Sequence, residues 1–390
     1  MYKAQLHIYI VWHPKFKMGQ KIANQLYSYY TRNINEALSR GLGIPVFYRT
    51  KAYENDLPKK IDLNESERNA VILLVDTHAI NNWKEYVKDL QEQVDDSGNG
   101  NRLFPVSIST SFRNIGSSVT ESNFIRLHEI DTLPKRMEKL KSQLTHELCR
   151  MLYGKPRISE LTKTKLSDEP VTLFMSHAKK DGVSIAKEIK KIADVDTSMN
   201  TFFDTIDIAP GHKFKNELEG NIEATALLAI QTDSYSSREW CRWEVLKAKK
   251  GNRPIVVVNA VKEGEERSFP YLGNVPTIRW KTNSNKEILI KKILDFTLYE
   301  VLRFIYTYKH LDNLKGLQEL TGTKKPKILA SPPELLTLLE KATETETKGN
   351  IVIYPDPPLT SEELELLIDA TNDFEFLTPT FLAAYSAIKS

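Results

Sequence analysis

The order of short apolar runs constrains this chain most, because five of them precede residue 155 and five more recur in the same order afterwards. The first set reads LHIYIVW (6–12), IPVFYR (44–49), NAVILLVD (69–76), RLFPVSI (102–108) and NFIRLHEI (123–130). The second reads VTLFMSH (171–177), NTFFDT (200–205), ALLAIQTD (226–233), PIVVVNA (254–260) and VPTIRW (275–280). Runs of this length bounded by turn residues predict strands, and helical spacing fills most of the gaps between them. Each set closes on a helix. From Pro134 to Tyr153, Met137, Leu140, Leu144, Leu148 and Met151 recur at three- and four-residue spacing, and a second helical run starts at Lys286 and reaches about Tyr306.

Strands alternating with helices need crossover connections, so the strands run parallel and helices cover both faces of each sheet. The expected fold class is therefore α/β, with two flavodoxin-like, doubly wound, five-stranded parallel sheets. Local matches support an internal duplication. FYRT at 47–50 matches FFDT at 202–205, His13 matches His177 just past the first strand, and Asp76 stands as far before Trp83 as Asp233 before Trp240. Beyond Leu311 the pattern changes to a helix opened by Pro332 and Pro333, a strand at NIVIY (350–354), the turn PDPP, and a helix capped by Thr360 or Ser361 with acidic residues in its first turn. This predicts a small C-terminal αβα appendage too short to build a full core alone. The expected domains are 1–155, 168–311 and 320–390. A length of 390 residues agrees, since one core rarely grows past roughly 250–300 residues.

Composition narrows the function classes. Net charge is +3, from 54 basic and 51 acidic residues spread along the chain, so no single-sign field points to nucleic acid. No run approaches the ~18 apolar residues that span a bilayer, and the opening MYKAQLHIYIVWHPK reads as a first strand with no signal-peptide cleavage pattern. With only Cys149 and Cys241, the chain has neither a disulfide framework nor a thiolate metal cluster, and a cytoplasmic location is expected.

The informative residues concentrate in the second unit. FMSHAKKD (174–181) on the first strand, FFD (202–204) on the second, the loop IDIAPGHKF (206–214), and SYSSREWCRWE (234–244), with Trp240 and Glu244 as W-x-x-x-E, stand in one order. In these pieces the chain resembles a TIR (Toll/interleukin receptor) domain of the bacterial and plant kind. The residues can be read directly as well. Four-residue spacing puts Trp240 and Glu244 on one helix face, and ligands of open α/β sheets bind outside the carboxyl ends of the strands, where Ser176, His177 and Asp204 fall.

The resemblance implies an NAD+ glycohydrolase that cleaves the nicotinamide–ribose bond, with hydrolysis and cyclisation of ADP-ribose both open as outcomes. Glu244 is then the catalytic carboxylate, stabilising an oxocarbenium-like ribose. Substrate-binding roles fall to Phe174, Ser176, His177, Asp204, Lys213, Trp240 and Trp243, with Lys213 either meeting the pyrophosphate or standing as a solvated lysine, and an indole stacking on a base. NAD+ enters as substrate, and no cofactor or metal is implied. The resemblance further implies self-association through TIR–TIR contacts, a role in antiphage defence, and an activating ligand or partner acting through the N-terminal unit. An alternative is a non-enzymatic adaptor working by homotypic binding, and another is a deoxyribosyl transferase of related architecture. Glu244 is expected to be partly exposed, and Cys241 to be small core filler. At the matched positions the first unit carries Trp12 for Ser176, Arg49 for Asp204 and Val87 for Glu244, which makes it a catalytically silent copy.

Overall fold

A computed structural model describes residues 3–32, 41–50, 57–98, 100–120, 123–153, 156–158, 165–197, 199–202, 226–265, 267–281, 285–314, 326–338, 350–371 and 374–382. The chain divides into two compact units, Met1–Lys155 and Pro156–Ser390.

In the first unit the strands are β1 (His7–Val11), β2 (Val46–Arg49), β3 (Asn69–Val75), β4 (Arg102–Ser107) and β5 (Ile125–Arg126). They form one parallel sheet in the order β2-β1-β3-β4-β5. Every residue of β1 and β3 is buried, as expected of central strands covered on both sides. On one face, α2 (Thr77–Asn82) and α3 (Lys84–Asp96) pack Ala79, Trp83, Val87 and Leu90 against Tyr9, Val11, Val71 and Leu73. Helix α1 (Lys17–Tyr30) meets α5 (Leu133–Tyr153), joined where the Tyr30 and Thr145 hydroxyls lie 3.1 Å apart. Asp76 starts α2 as its N-cap, accepting from the Ala79 N–H at 3.0 Å. A one-turn helix, α4 (Ser117–Thr120), precedes β5.

The second unit opens with an antiparallel pair, β6 (Pro156–Ile158) and β7 (Lys165–Asp168), which the apolar pattern does not announce. Its main sheet repeats the first topology. The strands β8 (Thr172–His177), β9 (Asn200–Phe202), β10 (Ala226–Gln231), β11 (Ile255–Asn259) and β12 (Thr277–Arg279) are parallel in the order β9-β8-β10-β11-β12. Helix α6 (Val183–Asp196) follows β8, α7 (Glu239–Lys250) follows β10, and α8 (Lys286–Asn313) closes the sheet. Asn285 caps α8, accepting from the N–H groups of Glu287 and Ile288. Helix α7 lies over β8, β10 and β11, sealing Val245 and Ala248 against Phe174, Leu227, Ala229 and Val257.

The appendage carries more sheet than its sequence suggests. Strands β13 (Lys327–Ile328), β14 (Asn350–Ile353) and β15 (Phe374–Leu377) form a three-stranded parallel sheet, where only the middle strand has an apolar run long enough to predict. Between them lie α9 (Leu335–Leu338) and α10 (Ser361–Thr371). Thr360 and Glu363 start α10 as a capping box, the Thr360 N–H donating to the carboxylate and the Glu363 N–H to the threonine hydroxyl. The appendage docks on α7 and the turn after it. Lys249 of α7 donates to both carboxylate oxygens of Glu334 at 2.6 and 2.7 Å, and Asn252 donates to the Ile328 carbonyl. Among the described residues no helix is long and apolar enough to cross a membrane.

The ladders correct two correspondences between the units, and in one of them Val71 takes the place of Leu227, so Asp76 falls at Thr232 and not at Asp233. Tyr9 pairs with Phe47 and Val71 in the first sheet, as Phe174 pairs with Phe202 and Leu227 in the second, so the FYRT and FFDT match agrees with the register. Two residues on, Val11 stands opposite Leu73 and Ser176 opposite Ala229. The first unit therefore has Val11, not Trp12, at the place of Ser176. Matching His13 to His177 slips the strand by one residue, and a one-residue slip turns every side chain to the other face.

Candidate active site

Two loops at the carboxyl ends of β8 and β10 build a cleft of about 480 Å³. His177, Ala178, Lys179 and Lys180 line it from the first loop, and Arg238, Trp240, Cys241 and Glu244 from the start of α7. This is the crevice where the strand order reverses between β8 and β10, the position at which doubly wound sheets bind ligands.

Local chemistry sets both loops. After β8 the chain curls back so that the Gly182 N–H donates to the Ala178 carbonyl at 2.8 Å. A Cβ at Gly182 would stand 3.0 Å from both that oxygen and the His177 Cβ, so any side chain there would push the turn apart by a few tenths of an ångström. Asp181 fastens the loop to its neighbour, accepting from the Thr232 hydroxyl at 2.6 Å and the Ser234 N–H at 3.0 Å. After β10, the Tyr235 N–H donates to the Thr232 carbonyl and the Arg238 N–H to the Tyr235 carbonyl, two turns that lead into α7 with Tyr235 fully buried. Asp233 accepts from three successive N–H groups, those of Lys262, Glu263 and Gly264. These donors hold its carboxyl below the ordinary carboxylate range. Unlike Asp76, it does not cap a helix; it ties down the loop after β11.

At the floor of the cleft stands a buried relay. Ser176 donates a short hydrogen bond to Oε2 of Glu244, and the Tyr235 hydroxyl lies 2.6 Å from the Ser176 Oγ. Glu244 is 5% exposed, so the expected partly exposed carboxylate is instead a recessed one, held from below while it lines the cleft. The reason is its place in the second turn of α7, directly over Ser176, where the helix leans on the sheet. Burial, with the nearby Cys241 and Glu244 adding to it, raises the Tyr235 phenol well above its ordinary range, against the opposing effect of the Ser176 hydrogen bond.

Trp240 is 49% exposed and forms the aromatic wall, braced edge-on by Trp243 at 5.5 Å between ring centroids. Trp243 itself packs on the apolar core and lies beneath the Lys247 ammonium at 5.8 Å, so only one of the two expected indoles lines the cleft. Phe174 is a core residue under α7, and Cys241 is both core filler and cleft lining. His177 lines the cleft with its Nδ1 3.3 Å from the Met175 carbonyl oxygen. The structure thus brings together Ser176, His177, Trp240 and Glu244. Asp204 and Lys213 lie outside the described residues.

Four contributors were not singled out from sequence: Tyr235, Arg238, Lys179 and Lys180. The two lysines follow His177 in FMSHAKKD and the arginine precedes Trp240 in SYSSREWCRWE, and that nearness is their signal in the sequence. Tyr235 stands in the same segment as Arg238, but the sequence does not show that its side chain turns toward Ser176, because the direction of a side chain in two consecutive turns depends on backbone geometry and not on periodicity.

In the first unit the junction of α2 and α3 packs into the apolar core. Trp83 is 2% exposed and shares one apolar cluster with Val11 and Val87, while His13 packs against Trp83 and His78 with ring centroids 4.8 and 5.4 Å away.

Residues 173–294 match the family model described as TIR domain. No curated protein matches the chain. The solved structure described as "Crystal structure of PH0766 from Pyrococcus horikoshii OT3" is similar over 76% of this chain, at 13% identity and a TM-score of 0.30. The chain spans 64% of that protein's length, and a likeness this low carries no argument about fold or function.

Proposed function

We propose that the TIR domain carried by this chain over residues 173–294 is an NAD+ glycohydrolase whose catalytic carboxylate is Glu244. One observation carries the reading: a buried glutamate, fixed by a serine hydroxyl, forms part of the wall of a cleft that also presents a half-exposed indole. Cleavage breaks the bond between ribose C1′ and the pyridinium nitrogen, and the electron pair leaves with neutral nicotinamide. The positive charge left on the ribose is stabilised by the carboxylate, whose attraction is strengthened by its low-dielectric seat. Attack by water, with loss of a proton, gives ADP-ribose; attack by a nucleophile of the adenine moiety gives a cyclic product. Trp240 suits a flat base, and Lys179, Lys180 and Arg238 line the same cleft, which suits a diphosphate. Ser176 acts on Glu244 and not on substrate, since it is itself buried. Asp204 at the ribose and Lys213 at the pyrophosphate, self-association and a defence role stay in the reading on family resemblance.

The test is nicotinamide release from NAD+ by the full chain over a range of protein concentrations, resolved by chromatography, for wild type and Glu244→Gln. The variant should lose about 100-fold or more, on the order of 3 kcal/mol of transition-state stabilisation, with circular dichroism unchanged. Release by Glu244→Gln at the wild-type rate overturns the assignment. Concentration-dependent self-association with no release from wild type favours the adaptor reading.

A further inference from the structure

We infer that Tyr235 is a positioning residue, whose hydroxyl acts through Ser176 to fix the rotamer and the ionised form of Glu244. The inference rests on the glycohydrolase reading for its consequence in catalysis, but the hydrogen-bond chain stands on geometry alone.

The direction of the chain follows from counting hydrogens. Ser176 donates the one hydrogen of its hydroxyl to Glu244 Oε2. The Ser176 oxygen then has only lone pairs to offer Tyr235, and the contact of 2.6 Å is a bond donated by the phenol. Burial keeps that phenol protonated, so it remains a donor across the working range of pH. Two hydroxyl dipoles in series thus point at one carboxylate oxygen, and in a low-dielectric interior each donor strengthens the next. Nothing in the core requires the tyrosine oxygen. Phenylalanine would fill the same apolar cluster of Phe174, Ala229, Cys241 and Val245, so the hydroxyl serves the relay. The titratable and charged groups that share the cleft with Glu244 are His177, Lys179 and Lys180 after β8, and Arg238 and Cys241 at the start of α7. They stay in place when Tyr235 is changed.

The experiment uses the full chain with 13C-labelled glutamate, Glu244 being assigned by loss of its signal in Glu244→Gln, and follows the side-chain carboxyl as pH is varied. Tyr235→Phe should move the Glu244 midpoint up by about half a pH unit, and Ser176→Ala by about one unit or more. In the Ser176→Ala background, Tyr235→Phe should shift the midpoint by clearly less than it does in wild type, because the hydrogen-bonded route through Ser176 is gone and only the direct field of the phenol remains. 3-Fluorotyrosine at position 235, which keeps the hydroxyl and makes it a stronger donor, should move the midpoint down while leaving packing intact. A midpoint unchanged in Tyr235→Phe, or a shift that adds in full to that of Ser176→Ala, overturns the inference. Nicotinamide release is read in parallel: kcat of Tyr235→Phe should fall about fivefold with KM held within about twofold. If Glu244→Gln keeps its activity while the carboxyl shifts appear as stated, the glycohydrolase reading fails and the relay stands. If Glu244→Gln loses activity while Tyr235→Phe leaves the midpoint where it was, the relay fails and the glycohydrolase reading stands.

Discussion

Removing the Glu334 carboxylate should loosen the helix that bears Trp240 and Glu244. Lys249, on the last turn of α7, is 7% exposed and donates to both Glu334 oxygens, while Glu334 is 24% exposed. At these distances and an effective dielectric of about 20, the attraction is on the order of 6 kcal/mol, most of it offset by taking the ammonium out of water. The intact pair therefore adds little net stability, whereas breaking it strands a buried cation, which costs roughly 3–5 kcal/mol when both partners are deeply buried. Because a quarter of Glu334 already meets solvent, water can partly replace it, and about 3 kcal/mol is expected for Glu334→Gln. That corresponds to roughly a 150-fold rise in local opening. Hydrogen exchange measured by mass spectrometry on peptides covering 239–250 and 326–338 reads this directly. Replacing both partners, Lys249→Met with Glu334→Leu, should return protection to within about 1 kcal/mol of wild type, since no charge is left behind. Less than threefold change in Glu334→Gln, or a double variant as loose as the single one, would refute the reasoning.

His146 in α5 is pushed down to about 4, first by burial and then by the Arg150 charge. Its folded value lies below the ordinary one, so the unfolded chain takes up the proton first: stability is full above about pH 6.5 and should fall by roughly 2.5 kcal/mol as pH drops to 4.5. His146→Gln should flatten that dependence in hydrogen exchange of residues 133–153; an equal slope in both proteins would remove His146 as the cause. Trp240→Ala should raise KM for NAD+ by about tenfold or more through loss of base stacking, while Trp240→Phe keeps most of the affinity. Both variants should melt within a few degrees of wild type because half the indole is already in water.

Central strands were legible because burial on both faces writes itself as an unbroken apolar run: β3 and β10 are found where NAVILLV and ALLAIQ stand. Edge elements were not. Lys327–Ile328 and Phe374–Leu377 are short edge strands of the appendage sheet, and Pro156–Ile158 pairs with Lys165–Asp168 through a stretch with no apolar alternation. Ends were overextended for a physical reason as well, since Asp76 and Asp233 read as strand continuations but are used as acceptors for backbone N–H groups beyond the strand. In the site, spacing alone placed Trp240 and Glu244 together, because helical period fixes which residues share a face. It did not say how deep that face lies. Glu244 is recessed because a hydroxyl from a strand 68 residues earlier in the chain receives it, and such a long-range contact leaves no periodic trace.

The apolar cluster that holds Val11, Trp83 and Val87 leaves the first unit no seat for a buried carboxylate there. Val87 is 1% exposed among apolar side chains, so a glutamate introduced there would lose its hydration and would unfold its surroundings or stay protonated. A carboxylate-lined cleft like that of the second unit would need several of these apolar side chains changed together, which no single substitution supplies.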